Sequence, residues 1–345
     1  MTRPRVLILA PNWLGDLVMA TTLLGRCDEA GVSPVVLVRR RWASLLRDDP
    51  RVGGLLHYER TGLHAGWRGL PRQAARLREA GPVEAVFVLP PSLRAAAAAR
   101  LAGQGPRLGF GGEGRAPLLD VCLTRPPRGS LHYCEETDLL WRAYRPAAAG
   151  PAPEPALPGL RTAAPAAAAA HGRVWILAVG ATYGSAKAWP APIAAGFAAA
   201  AADLGVRLLL LGDAAAAGHV QAMAAARHLP WRGAEEPGDG VVDLTGRTDL
   251  SEAAGLLRSA SVFVGNDSGL MHLAAALGAP TLGLFGSSNP AWTAPRGPRA
   301  RALAVEGFAC HPCHRRTCDQ PRFCMETLTA DAVLVAALEL EEARP

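Results

Sequence analysis

Val264-Gly265-Asn266-Asp267-Ser268-Gly269-Leu270-Met271-His272, running on to Leu284-Phe285-Gly286, is the stretch that decides the fold. Ser261–Val264 reads as a buried strand and Thr281–Phe285 as the next one. Between them Ser268–Leu277 has helical character, with Asp267 placed to cap its start, Gly278 at its C-cap and Pro280 beyond. Strand, turn, helix, strand is a parallel βαβ unit. Ser268 and Gly269 put small side chains and open N–H groups at a helix N-terminus, behind the C-terminal end of a strand. That is a phosphate site in the crevice where open α/β sheets bind ligands. An ordinary capped helix has the same spacing, so the pattern alone leaves both readings open.

A second feature shifts the balance. Of 36 Lys plus Arg, one is a lysine, Lys187. It lies in Val179-Gly180-Ala181-Thr182-Tyr183-Gly184-Ser185-Ala186-Lys187-Ala188-Trp189-Pro190, directly after the apolar strand Val174–Val179. Pro190 suits the first turn of a following helix. A compact ammonium on a flexible stem can follow a diphosphate as its charge grows.

With 345 residues, half of them hydrophobic, the chain can build two α/β domains with cores of their own. No apolar run approaches the roughly 18–20 residues that cross a bilayer. Val6–Ala10 is too short for a signal-peptide core and reads as the first strand. The expected location is cytoplasmic, and seven cysteines there argue against a disulfide framework. Residues 1–150 carry 21 Arg against 13 acids, net +8, whereas residues 151–345 carry 15 bases against 17 acids, net −2. A basic first half suits an anionic partner. Arg39-Arg40-Arg41 is the one tight basic run, and aromatic interleaving is weak, which argues against nucleic acid.

In the first half, strands are expected at Arg5–Ala10, Val35–Val38, Ala85–Leu89 and Arg107–Phe110. Helices are expected at Leu17–Cys27, Leu70–Ala80, Leu93–Ala102 and His132–Tyr144. The Pro- and Ala-rich stretch 146–171 reads as a connector. Further strands follow at Val174–Val179, Val206–Leu211, Ser261–Val264 and Thr281–Phe285. The helices of the second half are Ala191–Leu204, Ala214–His228, Leu250–Ser259, Ser268–Leu277 and a last amphipathic one, Ala330–Glu342. The alternation predicts two Rossmann-like, doubly wound domains facing a central cleft. The expected bounds are 1–160 and 172–328, with 329–345 as a terminal helix. Neither half has G-x-G-x-x-G after its first strand, which counts against a nicotinamide dehydrogenase.

Three ordered motifs carry a resemblance. Asn12-Trp13-Leu14-Gly15-Asp16-Leu17-Val18-Met19-Ala20-Thr21, the lysine loop Gly180–Pro190 and Gly265–His272 resemble those of bacterial lipopolysaccharide heptosyltransferases, glycosyltransferase family 9. Leu244-Thr245-Gly246-Arg247-Thr248 and His132-Tyr133 are further similar pieces. The Asn-Trp and Asp-Ser-Gly-Leu-Met-His forms are typical of the second heptosyltransferase type. The likeness spans nearly the whole chain and is weakest over 55–130, where acceptor contacts are expected to vary. It implies the GT-B fold, with the acceptor bound mainly by the first domain, the donor mainly by the second, and the last helix returning to the first. It also implies inverting transfer of L-glycero-D-manno-heptose from ADP-heptose to the lipid A-linked inner core. No metal or other cofactor is expected for catalysis. The work would be done in the cytoplasm, with peripheral contact to the inner membrane.

Under that resemblance Asp16 is the candidate base, although its place also suits a cap on helix Leu17–Cys27. Lys187 would neutralise the departing diphosphate, held by the N–H groups of Ser268 and Gly269. Asp267 and His272 are further donor contacts, with Thr182, Asp243 (at a strand end), Gly246 and Thr248 behind them. Asn12, Gly15, Arg60, Arg68 and Arg72 are the acceptor candidates. No D-x-D loop is present, and Asp48-Asp49 reads as surface. Cys310, Cys313, Cys318 and Cys324 could bind a structural zinc, or stand as reduced or partly paired thiols. Other readings on the same fold are a heptosyltransferase of another type or acceptor, a sugar-nucleotide epimerase, and a regulatory nucleotide-binding protein.

Overall fold

The computed structural model describes residues 3–343 except 60, 164–171 and 181. Two compact units divide the chain at Arg161 and Thr162.

In the first unit, β1 (Arg5–Leu9) is buried from Val6 onward. It pairs in parallel with β2 (Ser33–Arg39) on one side and β4 (Ala85–Val88) on the other. Strands covered on both faces read as unbroken apolar runs, and these do. The sheet order is β3-β2-β1-β4-β5-β6, with β5 at Arg107–Phe110. Its two edges, β3 (Gly54–Tyr58) and β6 (Val121–Leu123), were not expected.

The helix expected at Leu17–Cys27 is two: α1 (Leu14–Ala20) and α2 (Thr22–Glu29). The break at Thr21 has a tertiary cause. Thr21 Oγ1 donates to Val18 O (2.7 Å) and accepts from Ala156 N–H (3.1 Å), while Thr22 Oγ1 donates to Pro153 O (2.9 Å). α3 is Leu70–Arg78. α4 (Leu93–Ala102) is capped by Ser92 and ended by Gly103 in the left-handed region. α5 (Tyr133–Tyr144) opens on a capping box between His132 and Glu135.

The stretch read as a connector is docked over its first half. The buried Arg26 guanidinium pairs with Asp138 (2.7 Å) and donates to the carbonyls of Ala149, Gly150 and Pro151. A buried charge is tolerable only when its donors are used. Arg51 donates to Ala156 O and forks onto Asp49, so Asp49, read as surface, is buried.

The second unit repeats the order as β12-β11-β10-β7-β8-β9. β7 is Val174–Ala178, β8 Arg207–Leu211, β9 Gly240–Asp243, β10 Val262–Asn266, β11 Thr281–Phe285 and β12 Ala300–Ala304. α6 (Ala191–Asp203), α7 (Ala217–Ala226), α8 (Leu250–Ser259), α9 (Gly269–Ala276), the short α10 (Pro290–Thr293) and α11 (Ala330–Glu342) complete it. Phe197 stacks on Trp175 and meets Trp189 edge-on. Phe197→Ala would cost about 3–5 kcal/mol.

The buried face of the last helix joins the core of the second unit through Val333, Ala336, Ala337 and Leu340. Glu341 fixes its end, accepting from Arg173 (2.7 Å) and from Trp175 Nε1 (3.1 Å). In both sheets the order reverses beside the first strand, between β1 and β4 and between β7 and β10. Open α/β sheets bind ligands at such a switch point.

Candidate functional site

The loops after β7 and β10 flank the switch point of the second sheet, and they carry the lysine and the Asp-Ser-Gly motif. Ser268, not Asp267, is the N-cap of α9, and the helix starts at Gly269. Asp267 is thereby freed from capping. Its Oδ2 lies 2.5 Å from Lys187 Nζ and accepts from Thr293 Oγ1 (3.3 Å). Its Oδ1 lies 3.5 Å from His272 Nε2. Burial opposes its charge, yet the His272 hydrogen bond and the Lys187 ammonium outweigh burial. They hold the carboxyl well below the usual carboxylate range. Asp267 is thus a buried anion fixed from three sides, and Lys187 is positioned on the helix N-terminus by it.

Ser268 makes no capping hydrogen bond, and its buried Oγ has no partner among the described residues. The Nδ2 of Asn266 and the Oγ atoms of Ser287 and Ser288 share that condition. All four come from the C-terminal ends of the adjacent strands β10 and β11 or the residues just beyond. Orphaned buried polar atoms are rare in folded proteins and cost about 1–3 kcal/mol each. Together with the first-turn N–H groups of α9, which have no intrahelical acceptor, they suit a polyoxygenated anion. Sequence reasoning missed Asn266, Ser287 and Ser288. The signal was Ser287-Ser288 directly after Gly286, the residue that follows the strand.

The remaining donor candidates occupy the same edge of the sheet. Thr182 donates to Asp213 Oδ2 (3.0 Å), joining the loops after β7 and β8. Asp243 Oδ1 accepts from both the N–H and the hydroxyl of Thr245 (2.9 and 2.7 Å), so half of that carboxylate shapes its own turn. Gly246 sits at φ +67° against Ala214 and donates to Gly212 O (3.0 Å). Thr248 is half-buried beside it.

In the first unit, α1 begins at Leu14 with Trp13 as N-cap and no side-chain cap. Asp16 is therefore the third residue of the helix, not its cap, and an acid there is favoured by the helix dipole. Burial, and after it the Asp16 carboxylate, push the Tyr133 phenol well above its ordinary range, which places Asp16 beside the His132-Tyr133 segment. Gly15 is buried. Asn12 accepts from Tyr58 OH (2.6 Å) through Oδ1, and from Trp42 Nε1 (3.1 Å) through its carbonyl. Arg68 and Arg72 are exposed in the segment after β3. Arg60 lies outside the described residues.

All seven cysteines are free. Cys310, Cys313, Cys318 and Cys324 line one cavity with Ala186 and Ser287. Burial first, and then its three neighbouring thiols, push the Cys324 thiol up. Among the described residues no three His, Cys, Asp or Glu side chains are gathered as a ligand set. The loop is tied to the donor site instead. His314 N–H donates to Ser287 O (2.7 Å), Ala186 N–H to Arg316 O (2.9 Å) and Tyr183 OH to His314 O (3.0 Å). His311 Nδ1 stands 2.5 Å from Gly286 O.

Comparison with known proteins gives consistent matches. The profile of glycosyltransferase family 9 (heptosyltransferase) matches residues 74–323. Lipopolysaccharide heptosyltransferase 2 of Escherichia coli K12 is 27% identical over 316 residues, covering 87% of this chain and 88% of the relative. The structure of E. coli ADP-heptose lipopolysaccharide heptosyltransferase II superposes with a TM-score of 0.75 at 23% identity, covering 98% of each chain. An E. coli heptosyltransferase solved with ADP gives 0.73 at 19% identity, over 97% of this chain and 99% of the other. The fold of these structures is shared along the whole chain.

Proposed function

This chain belongs to glycosyltransferase family 9, the heptosyltransferases, and on that premise we propose that it moves L-glycero-D-manno-heptose from ADP-heptose to the heptosylated Kdo2-lipid A inner core in lipopolysaccharide biosynthesis. It is a glycosyltransferase of GT-B fold. The names of its relatives support ADP-heptose as donor and lipopolysaccharide as the acceptor class; the heptosylated inner-core acceptor follows from the motif resemblance.

One observation carries the reading. Lys187 is paired to the buried Asp267–His272 couple at the N-terminus of α9, beside Ser268 Oγ, which has no partner among the described residues. That arrangement suits the diphosphate of a nucleotide-sugar. In the reaction an acceptor hydroxyl oxygen attacks the anomeric carbon. Asp16, in the first turn of α1, takes the hydroxyl proton. The bond from the anomeric carbon to the β-phosphate oxygen breaks with inversion, and ADP leaves with the electron pair. Lys187 and the α9 N–H groups stabilise the charge that grows on the leaving group, so the step needs no divalent cation.

Acceptor recognition falls to the first unit. Trp13 and Trp67 are exposed there at 48% and 57%, with Arg68 next to Trp67 and Arg72 exposed at the start of α3. Amphipathic rings and arginines suit a phosphorylated, lipid-linked acceptor at an anionic membrane face. Among the described residues no helix is long and apolar enough to cross a membrane.

The test is incubation of the protein with ADP-heptose and heptosylated Kdo2-lipid A, without added metal, with the product read by mass spectrometry. Transfer by the wild type, lost in Asp16→Ala and Lys187→Ala, is the expected result. Binding of ADP-heptose without transfer would remove the acceptor assignment, and no binding would sink the whole proposal.

A further inference from the structure

Lys187 raises a problem of charge balance. Its ammonium lies 2.5 Å from Asp267 Oδ2, so the two charges cancel before any anion arrives. A diphosphate, whose charge increases as it leaves, calls for positive charge that is not already matched. The α9 N-terminus supplies part of it, through fixed N–H groups and not through a full cation. The lysine loop and the Asp-Ser-Gly motif hold no other lysine or arginine.

The fold brings one from the Cys-rich loop, some 130 residues on. Arg316 places its guanidinium carbon 5.1 Å from the centre of the Tyr183 ring, and Lys187 Nζ lies 5.0 Å from the same centre. The two cations therefore share one aromatic ring. Arg316 is exposed, and no carboxylate among the described residues pairs with it. Its neighbour Arg315, by contrast, is engaged by Asp319. The backbone under Arg316 is held from several sides. Its carbonyl accepts from Ala186 N–H, one residue before Lys187. Tyr183 OH anchors the carbonyl of His314. Gly184 approaches so closely, at φ +155°, that a Cβ there would stand 2.3 Å from Arg316 O. A glycine is needed for that contact, and it lies inside the lysine motif. The Ser287 carbonyl, from the loop after β11, holds His314 N–H and completes the support.

We propose that Arg316 is a second diphosphate-binding cation of the donor site, with Tyr183 as the positioning residue that aligns it with Lys187. The proposal rests on the donor reading above and deepens it. Arginine suits the role, because its planar fork can hold two phosphate oxygens at once while one face stacks on tyrosine.

ADP binding tests this, measured by isothermal titration calorimetry at two salt concentrations, with adenosine as a phosphate-free probe. Arg316→Ala is expected to weaken ADP binding by about tenfold and to flatten its salt dependence. Arg316→Lys should recover part of the loss. Tyr183→Leu, which removes both the ring and its hydroxyl, should weaken ADP binding in the same direction. Adenosine should bind wild type and Arg316→Ala alike. Unchanged ADP affinity and salt slope in Arg316→Ala, with the wild type binding normally, would overturn the role of Arg316 and leave the donor reading intact. An equal loss for adenosine would also overturn it, by showing that the loop and not a phosphate contact was disturbed. A wild type that binds no ADP overturns both.

Discussion

The two units share a strand order but use their first strand-to-helix loop differently. After β1 the chain turns within four residues into α1, so the loop has room for little besides Asn12, Trp13 and an acid in the first helical turn. After β7 it runs from Val179 to Pro190 before α6 begins, long enough to hold a 3-10 turn at Ser185–Lys187 and to receive the Cys-rich loop. The short loop sets a carboxylate against a helix dipole. The long loop sets a cation against a buried carboxylate. The same strand order thus carries opposite charges after its first strand, on loops of different length. The net charge follows a different pattern: the half that carries Asp16 is the basic one, through its 21 arginines.

Substitutions can separate the two loops. The largest effect is expected from Asp16→Ala, a roughly hundred- to ten-thousandfold fall in kcat with ADP affinity unchanged. Steady-state kinetics beside calorimetry would check it, and weakened ADP binding would blur the division. Lys187→Ala should lower kcat by about a hundred- to a thousandfold. It should also destabilise the fold by about 3–5 kcal/mol, because buried Asp267 loses its closest cation and keeps only His272 and Thr293, which urea unfolding would read. The pH dependence of that stability has a definite sign. The Asp267 carboxyl is depressed on folding, so its contribution is full above the unfolded value of about 4 and fades as pH falls through the lower folded value. The gap in urea midpoint between wild type and Asp267→Asn should therefore be widest at neutral pH and narrow in strong acid.

Gly184→Ala should cost about 1–3 kcal/mol in the long loop, with weaker ADP binding, because the Arg316 carbonyl blocks a Cβ. The smallest effect on the fold is expected from Ser268→Ala. That hydroxyl has no partner to lose, so the melting temperature should hold or rise while ADP affinity drops severalfold. A clear loss of stability would mean that Ser268 is structural.

Legibility in the sequence followed position in the sheet. The central strands β1, β4, β7, β8, β10 and β11 are almost wholly buried and could be read as apolar runs. The four edges were missed, except that Asp243 was read as a strand end. β3, β6 and β12 are half-covered and carry His57, Cys122 and Arg301 where a central strand has Leu or Val. The break at Thr21 was illegible because it is made by hydrogen bonds to residues 153 and 156, far along the chain. At the candidate site, Lys187, Asp267 and Ser268 were singled out from residue type, spacing and resemblance, and the structure brings Lys187 and Asp267 together. Their division of labour was not legible, because capping preferences favour Asp267 and only packing shows it turned towards Lys187. Arg316 was missed because it is joined to the lysine loop through a carbonyl, and carbonyls carry no sequence signal.

The docked stretch from Ala149 to Ala156 has a consequence for synthesis. Arg26 and Thr21, laid down early, find their last partners only when this stretch emerges, and the second unit starts a few residues later. Translation thus delivers the closing piece of the first unit just before the first piece of the second. Two sheets of identical strand order are at risk of exchanging strands while both are unfinished. An N-terminal half that is sealed before its look-alike leaves the ribosome keeps them apart.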